Sequence, residues 1–173
     1  MQLRLGIAAA AALLFTTAPV QAATVFAIDL SGRLVTFDSA TPGTITSTRT
    51  LTGVTGSAIL GIDFRPLTGE LYALGGNGTL YTINTSSGAA TAVGAGGIPL
   101  SGSNFGFDFN PTVDRIRLIS DTGQNQRLNP ITGGVAAADT PYVYANGATA
   151  AISAVGYTNS FAGATTTTLY GID

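Results

Sequence analysis

The feature that most constrains this chain is an internal repeat. Leu60-Gly-Ile-Asp-Phe-Arg-Pro66 returns as Phe105-Gly-Phe-Asp-Phe-Asn-Pro111, and Gly61 and Gly106 stand 45 residues apart (106 − 61). Gly, Asp, Phe and Pro recur at the same places. Similarity at a fixed period of this size marks stacked supersecondary units. The stretch after each copy repeats too. A turn leads to a short apolar run, Leu71–Leu74 or Ile116–Ile119, then a second turn and Thr79–Asn84 or Asn125–Asn129. Gly88 or Gly133 then precedes Ala90–Val93 or Val135–Ala138. Weaker copies flank the two. Thr24–Asp38 matches the later half of the unit, and Ala154–Asn159 with Thr166–Asp173 begins another, with Gly156 taken as the counterpart of Gly106 at a step of 50 (156 − 106).

The local period is that of strands. Phe105, Phe107 and Phe109 alternate with Gly106, Asp108 and Asn110, which places three aromatic rings on one face. Gly, Asn and Asp between the runs are hairpin chemistry. Four short strands per period of about 45 predict an all-β chain, a β-propeller-like repeat of four-stranded blades. A β-sandwich with two similar hairpins is the competing architecture. About three blades are in view, fewer than the four to eight of a closed propeller. The expectation is therefore a repeat incomplete at the C-terminus, or a short domain closed by self-association.

The first segment reads as an address. Arg4, the apolar run Leu5–Phe15 and the small residues of Val20-Gln21-Ala22 predict a secretory signal peptide and signal helix over residues 1–22. Residues 23–173 are then the repeat domain, exported to the periplasm or outside the cell, with no membrane span in the mature chain.

Composition removes chemistries. The chain has no His, no Cys and no Lys, and only 9% of its residues are charged, against about 25% in ordinary domains. The usual zinc, copper and iron sites, thiol nucleophiles and a Ser-His-Asp relay are excluded. A net charge of -2 without a basic cluster argues against nucleic acid. Catalytic residues are not assigned, and the balance leans away from an enzyme.

Two sets of residues carry what chemistry remains. Asp63 and Asp108 occupy equivalent positions on the polar face of the first strand of each unit. If that strand is innermost, the pair faces a central channel and would hold Ca²⁺ or serve as acid and base. Otherwise each caps backbone or pairs with an Arg. The densest polar stretch supplies Asp121, Gln124, Asn125, Gln126 and Arg127, suited to a sugar or polar peptide, or to one ordered loop. Arg115 and Arg117 beside Asp114 read as a solvated ion-pair face.

Several blocks carry a resemblance. Gly61–Leu74, Thr79–Asn84, Gly106–Arg117, Ser120–Pro130 and Tyr157–Asn159 with Ala164–Tyr170 resemble, in order along the chain, a bacterial exported family known as domain of unknown function 4394. The resemblance implies a propeller-type repeat and brings no activity or catalytic residue with it. Three functions stand open: a non-catalytic module binding a polar ligand or protein partner, a carboxylate- and Ca²⁺-dependent hydrolase of lactonase type, and a structural surface or matrix protein.

Overall fold

The computed structural model describes residues 22–56 and 58–173; the expected signal helix lies outside them apart from Ala22. Among the described residues the chain is all β, and no helix is long and apolar enough to cross a membrane. Thirteen strands form four antiparallel sheets. The first holds β1 (Thr24–Ile28), β2 (Arg33–Asp38) and β3 (Ile45–Thr50). The second holds β4 (Ile59–Phe64), β5 (Leu71–Gly75), β6 (Leu80–Ile83) and β7 (Ala90–Val93). The third repeats it with β8 (Phe105–Asn110), β9 (Arg115–Ser120), β10 (Asn125–Leu128) and β11 (Val135–Ala138). The fourth pairs β12 (Ala154–Tyr157) with β13 (Leu169–Ile172).

Every neighbour in a sheet is also its neighbour in sequence, and within the second and third sheets tight turns make the connections. Gly78 (φ 74°) closes the β5–β6 hairpin in the left-handed region that a side chain disfavours. In the corresponding turn after β8, Asp114 (φ 51°) takes the place that Gly69 holds after β4. Asp is among the residues that tolerate this region, and its carboxylate is held from outside: Arg65 donates from Nε to Oδ1 (2.8 Å) and from Nη2 to Oδ2 (2.5 Å). This corrects the surface reading of Asp114. It ties the second sheet to the third through an Arg65 that is only 6% exposed.

The core lies between sheets. Leu34, Leu71, Ala73, Tyr81 and Ile83 fill the seam between the first and second. Tyr72, Leu74 and Leu80 meet Phe107, Phe109, Ile116, Leu118 and Leu128 between the second and third. Between the third and fourth the apolar part shrinks to Ile119 with Ala150 and Ile152, flanked by Val155 and Leu169.

The hydrogen-bond register corrects one sequence alignment. Asp63 pairs with Tyr72, Asp108 with Arg117, and Gly156 with Tyr170. Gly156 therefore occupies the place of Asp108, and Ala154 that of Gly106. The step into the fourth sheet is 48 residues (156 − 108), and matching Gly106 to Gly156 was two residues out of register.

Candidate functional site

The equivalent acids sit where first strands of successive sheets meet. β8 packs between β4 and β12. Gly61 opens the first approach: a Cβ there would lie 2.6 Å from Phe107 Cβ. Gly106 opens the second, where a Cβ would lie 2.8 Å from the Val155 nitrogen. Two residues on, each Asp reaches across the gap just opened. Asp63 Oδ2 accepts the Phe109 N–H at 2.7 Å, and its Oδ1 accepts the N–H of Phe64 at 2.8 Å. Asp108 Oδ2 accepts the Tyr157 N–H at 2.8 Å. The first strands of neighbouring sheets share no ladder, so these carboxylates satisfy backbone donors that would otherwise lack a partner.

Burial raises the pKa of Asp63 against the pull of the Phe109 and Phe64 N–H groups. Asp108 is pushed up to about 7, first by burial and then by the Asp63 charge, with the Tyr157 N–H opposing. The structure thus brings the two acids near one another. Among the described residues no group of three or more His, Cys, Asp or Glu side chains converges.

A second element recurs beside the Asp contacts. Phe26 of β1 meets Phe64 edge to face, ring centroids 5.1 Å apart and planes at 73°. Tyr72 of β5 meets Phe109 the same way, at 5.2 Å and 74°. At the third seam Arg117 takes the place of Tyr72, and its Nε donates to the Tyr157 hydroxyl at 3.3 Å. Arg117 Nη1 also donates to Asn125 Oδ1 (2.7 Å) and Asp139 Oδ2 (2.5 Å). Arg127 holds the other side of Asp139, with Nε to Oδ2 at 2.9 Å and Nη2 to Oδ1 at 2.8 Å. The bonds from Arg127 and then Arg117 keep the Asp139 carboxyl below the ordinary range. Arg117, with a side chain only 12% exposed, is thus a half-buried seam residue and not the solvated one that alternation with Arg115 suggested.

The polar stretch divides in three. Asp121 accepts the N–H groups of Ser103 (3.0 Å) and Asn104 (3.1 Å), while Gln124 accepts the Ser101 N–H at 2.8 Å and donates to the Pro99 carbonyl. Both order the loop before β8. Those bonds, the one from Ser103 first, hold Asp121 below its usual pKa. Asn125 and Arg127 join the Arg117–Asp139 cluster. Gln126 alternates to the opposite face, pairing with Leu118, and its buried Oε1 has no hydrogen-bond partner among the described residues.

A family model described as a domain of unknown function (DUF4394) matches residues 33–173. The chain belongs to the DUF4394 family. No curated protein matches it. Within this DUF4394 chain, sequence reasoning missed Asp139 and Tyr157. Asp139 had a signal: it is the sole acid between Asp121 and Asp173, downstream of two arginines. Tyr157 had none, because its role depends on the two-residue register change. Beside the polar cluster lies an open cavity of ≈ 290 Å³ lined by Ile119, Tyr142, Tyr144, Ile152, Val155 and Leu169 among others.

Proposed function

We propose that this DUF4394 chain is a non-catalytic, propeller-like module of an exported protein, and that it holds a polar ligand or a protein partner at its surface. One observation carries the reading: the repeat-equivalent carboxylates, which a hydrolase would need free, accept backbone N–H groups of their own or the next sheet. The acids serve the stacking of sheets, as expected of a scaffold that displays loops. The propeller reading is supported by four antiparallel sheets built from sequential strands and by the same inter-sheet contacts recurring at successive seams.

The cavity between β9 and the fourth sheet is the place for a ligand. Its apolar floor is rimmed by the half-exposed rings of Tyr142 and Tyr144. Apolar walls with a few polar groups at the mouth suit a sugar face or a short peptide. Arrays of glycans and peptides would test this. The expected result is a retained ligand whose binding falls at least about tenfold on Tyr142→Ala, a loss of about 1.4 kcal/mol, with the melting temperature unchanged. No ligand for the wild-type chain would overturn the binding reading. A melting shift at millimolar Ca²⁺, abolished by Asp63→Asn, would favour the hydrolase instead. Export is tested by expressing the full chain in a bacterial host: a mature protein starting at Ala23 in the periplasm is expected, and an unprocessed cytoplasmic chain would reject it.

A further inference from the structure

We infer that Asn146 is a site of spontaneous covalent modification, where the backbone nitrogen of Gly147 attacks the side-chain amide and converts the residue to aspartate or isoaspartate. The chemistry needs an Asn followed by a residue that leaves its own nitrogen unshielded and its backbone free to turn, and Gly does both best. The sequence contains two such pairs, Asn77-Gly78 and Asn146-Gly147. Their turns are built alike. Both glycines have a left-handed backbone, Gly78 at φ 74° and Gly147 at φ 85°. Each glycine N–H donates at 2.9 Å to the carbonyl three residues earlier, that of Gly75 or of Tyr144. Each Asn accepts through Oδ1 the N–H two residues on, from Thr79 at 3.1 Å and from Ala148 at 3.0 Å.

The surroundings separate the two. Ring closure requires the Asn side chain and the peptide plane after it to rotate toward each other. At Asn77 both are held. Its Nδ2 lies 3.3 Å from the Thr55 carbonyl, the Thr55 hydroxyl and the Tyr81 hydroxyl alike. Gly78 is buried, and its carbonyl accepts the Ile98 N–H at 2.9 Å. At Asn146 neither is held. Nδ2 has no hydrogen-bond partner among the described residues, Asn146 to Thr149 are all exposed, and a Cβ on Gly147 would meet nothing within 4 Å. The pair sits at the tip of a small hairpin. The Tyr144 N–H donates to the Ala148 carbonyl and the Ala150 N–H to the Tyr142 carbonyl, both at 2.9 Å, with Val143 bridged to Thr149 between them. Only the base of the hairpin is anchored, through the buried Ala150 beside Ile119 and Ile152. An exposed tip of this kind opens locally at small cost.

The reaction needs only water as co-reactant. The Gly147 nitrogen bonds to Asn146 Cγ, the Cγ–Nδ2 bond breaks, and ammonia leaves carrying the former amide proton of Gly147. Water then opens the cyclic imide, and no atom is oxidised or reduced. Opening at the former side-chain carbonyl gives aspartate. Opening at the backbone carbonyl gives isoaspartate, which routes the main chain through the side-chain methylene. Either product adds a negative charge to the hairpin that carries Tyr142 and Tyr144, and isoaspartate also lengthens the tip that the Tyr144–Ala148 bond closes.

Holding the folded chain in warm, mildly alkaline buffer and mapping its tryptic peptides by mass spectrometry tests the site. The chain has no Lys and Arg127 is its last Arg, so Asn146 and Asn77 fall in different peptides. In the folded chain Asn146 is expected to convert at least about tenfold faster than Asn77. In urea the two rates should converge, because only the shared dipeptide remains. Gly147→Ala should suppress conversion at Asn146. The isoaspartate form should lose amide protection at Tyr144, and freshly purified Asn146→Asp should keep it. Equal rates at the two sites in the folded chain, or an Asn146 that stays intact there while it converts in urea, would overturn the inference. So would undiminished conversion in Gly147→Ala.

Discussion

The seam between the second and third sheets and the seam between the third and fourth use the same backbone arrangement with opposite chemistry. In the first, Tyr72 meets Phe109 edge to face, and the surrounding positions are Leu74, Leu80, Leu118 and Leu128. In the second, Arg117 replaces Tyr72 and Tyr157 replaces Phe109, and Asn125, Asp139 and Arg127 complete a polar cluster. What stays constant is small: a glycine that lets the first strand of the next sheet approach, and an Asp that accepts its N–H. Those two residues fix the spacing of the sheets. With the spacing fixed, either apolar burial or a paired ion cluster satisfies the remaining volume.

The largest break in this comparison is expected at Phe109. It is fully buried, and Phe109→Ala removes both its area and its ring contact with Tyr72. A loss of about 3–5 kcal/mol in a urea titration is expected; a loss near zero would mean that the apolar seam does not hold the sheets. Overpacking comes next. Gly106→Ala drives a methyl group into the Val155 backbone, and about 1–3 kcal/mol of destabilisation is expected, with the fourth sheet losing amide protection first. Uniform loss of protection would show that the seam does not open separately.

Hydrogen bonds at equivalent positions sharpen the contrast. Tyr72→Phe removes one bond, from the hydroxyl to the Pro130 carbonyl, and should cost about 1 kcal/mol regardless of salt. Arg117→Met removes the bonds to Tyr157, Asn125 and Asp139 and leaves Asp139 to Arg127 alone, a cost of at least similar size that should shrink in high salt, since Asp139 is partly exposed. Equal salt dependence of the two variants would erase the distinction between the seams.

The smallest effect is a slope with pH. The folded-state pKa of Asp108 lies above the unfolded value near 3.8, at about 7, so the contribution of its neutral form is fully present below pH 3.8 and is lost as pH rises through 7. Asp108→Asn keeps an oxygen for the Tyr157 N–H and removes the charge. Its melting temperature should vary less than wild type between pH 5 and 8, with the gain over wild type greatest at pH 8. Partial exposure of the carboxylate screens the effect. A wild type whose stability rises over that range would contradict the assignment.

How far the site was legible can be followed residue by residue. Asp63 and Asp108 were recognised as equivalent, since repetition is written in the sequence. Their partners were not, since a carboxylate that accepts the N–H of a residue 46 or 49 positions onward leaves no mark beyond the Asp itself. Asp121 and Gln124 looked like neighbours of Asn125 and Arg127 in one polar stretch. The turn at Gly123 and the alternation of β10 send them to different tasks.

The sequence by itself determined the all-β class, the period, the positions of the strands within the two complete repeats and the family. These rest on local physics: alternation, turn residues and a fixed spacing. Only the tertiary structure decided which sheet faces which, that Gly156 replaces an Asp in the fourth sheet, and that Arg117 lies half-buried in a seam between sheets. Each of those depends on how separate sheets meet in space. There the register and the contents of a seam are set by atoms far apart along the chain.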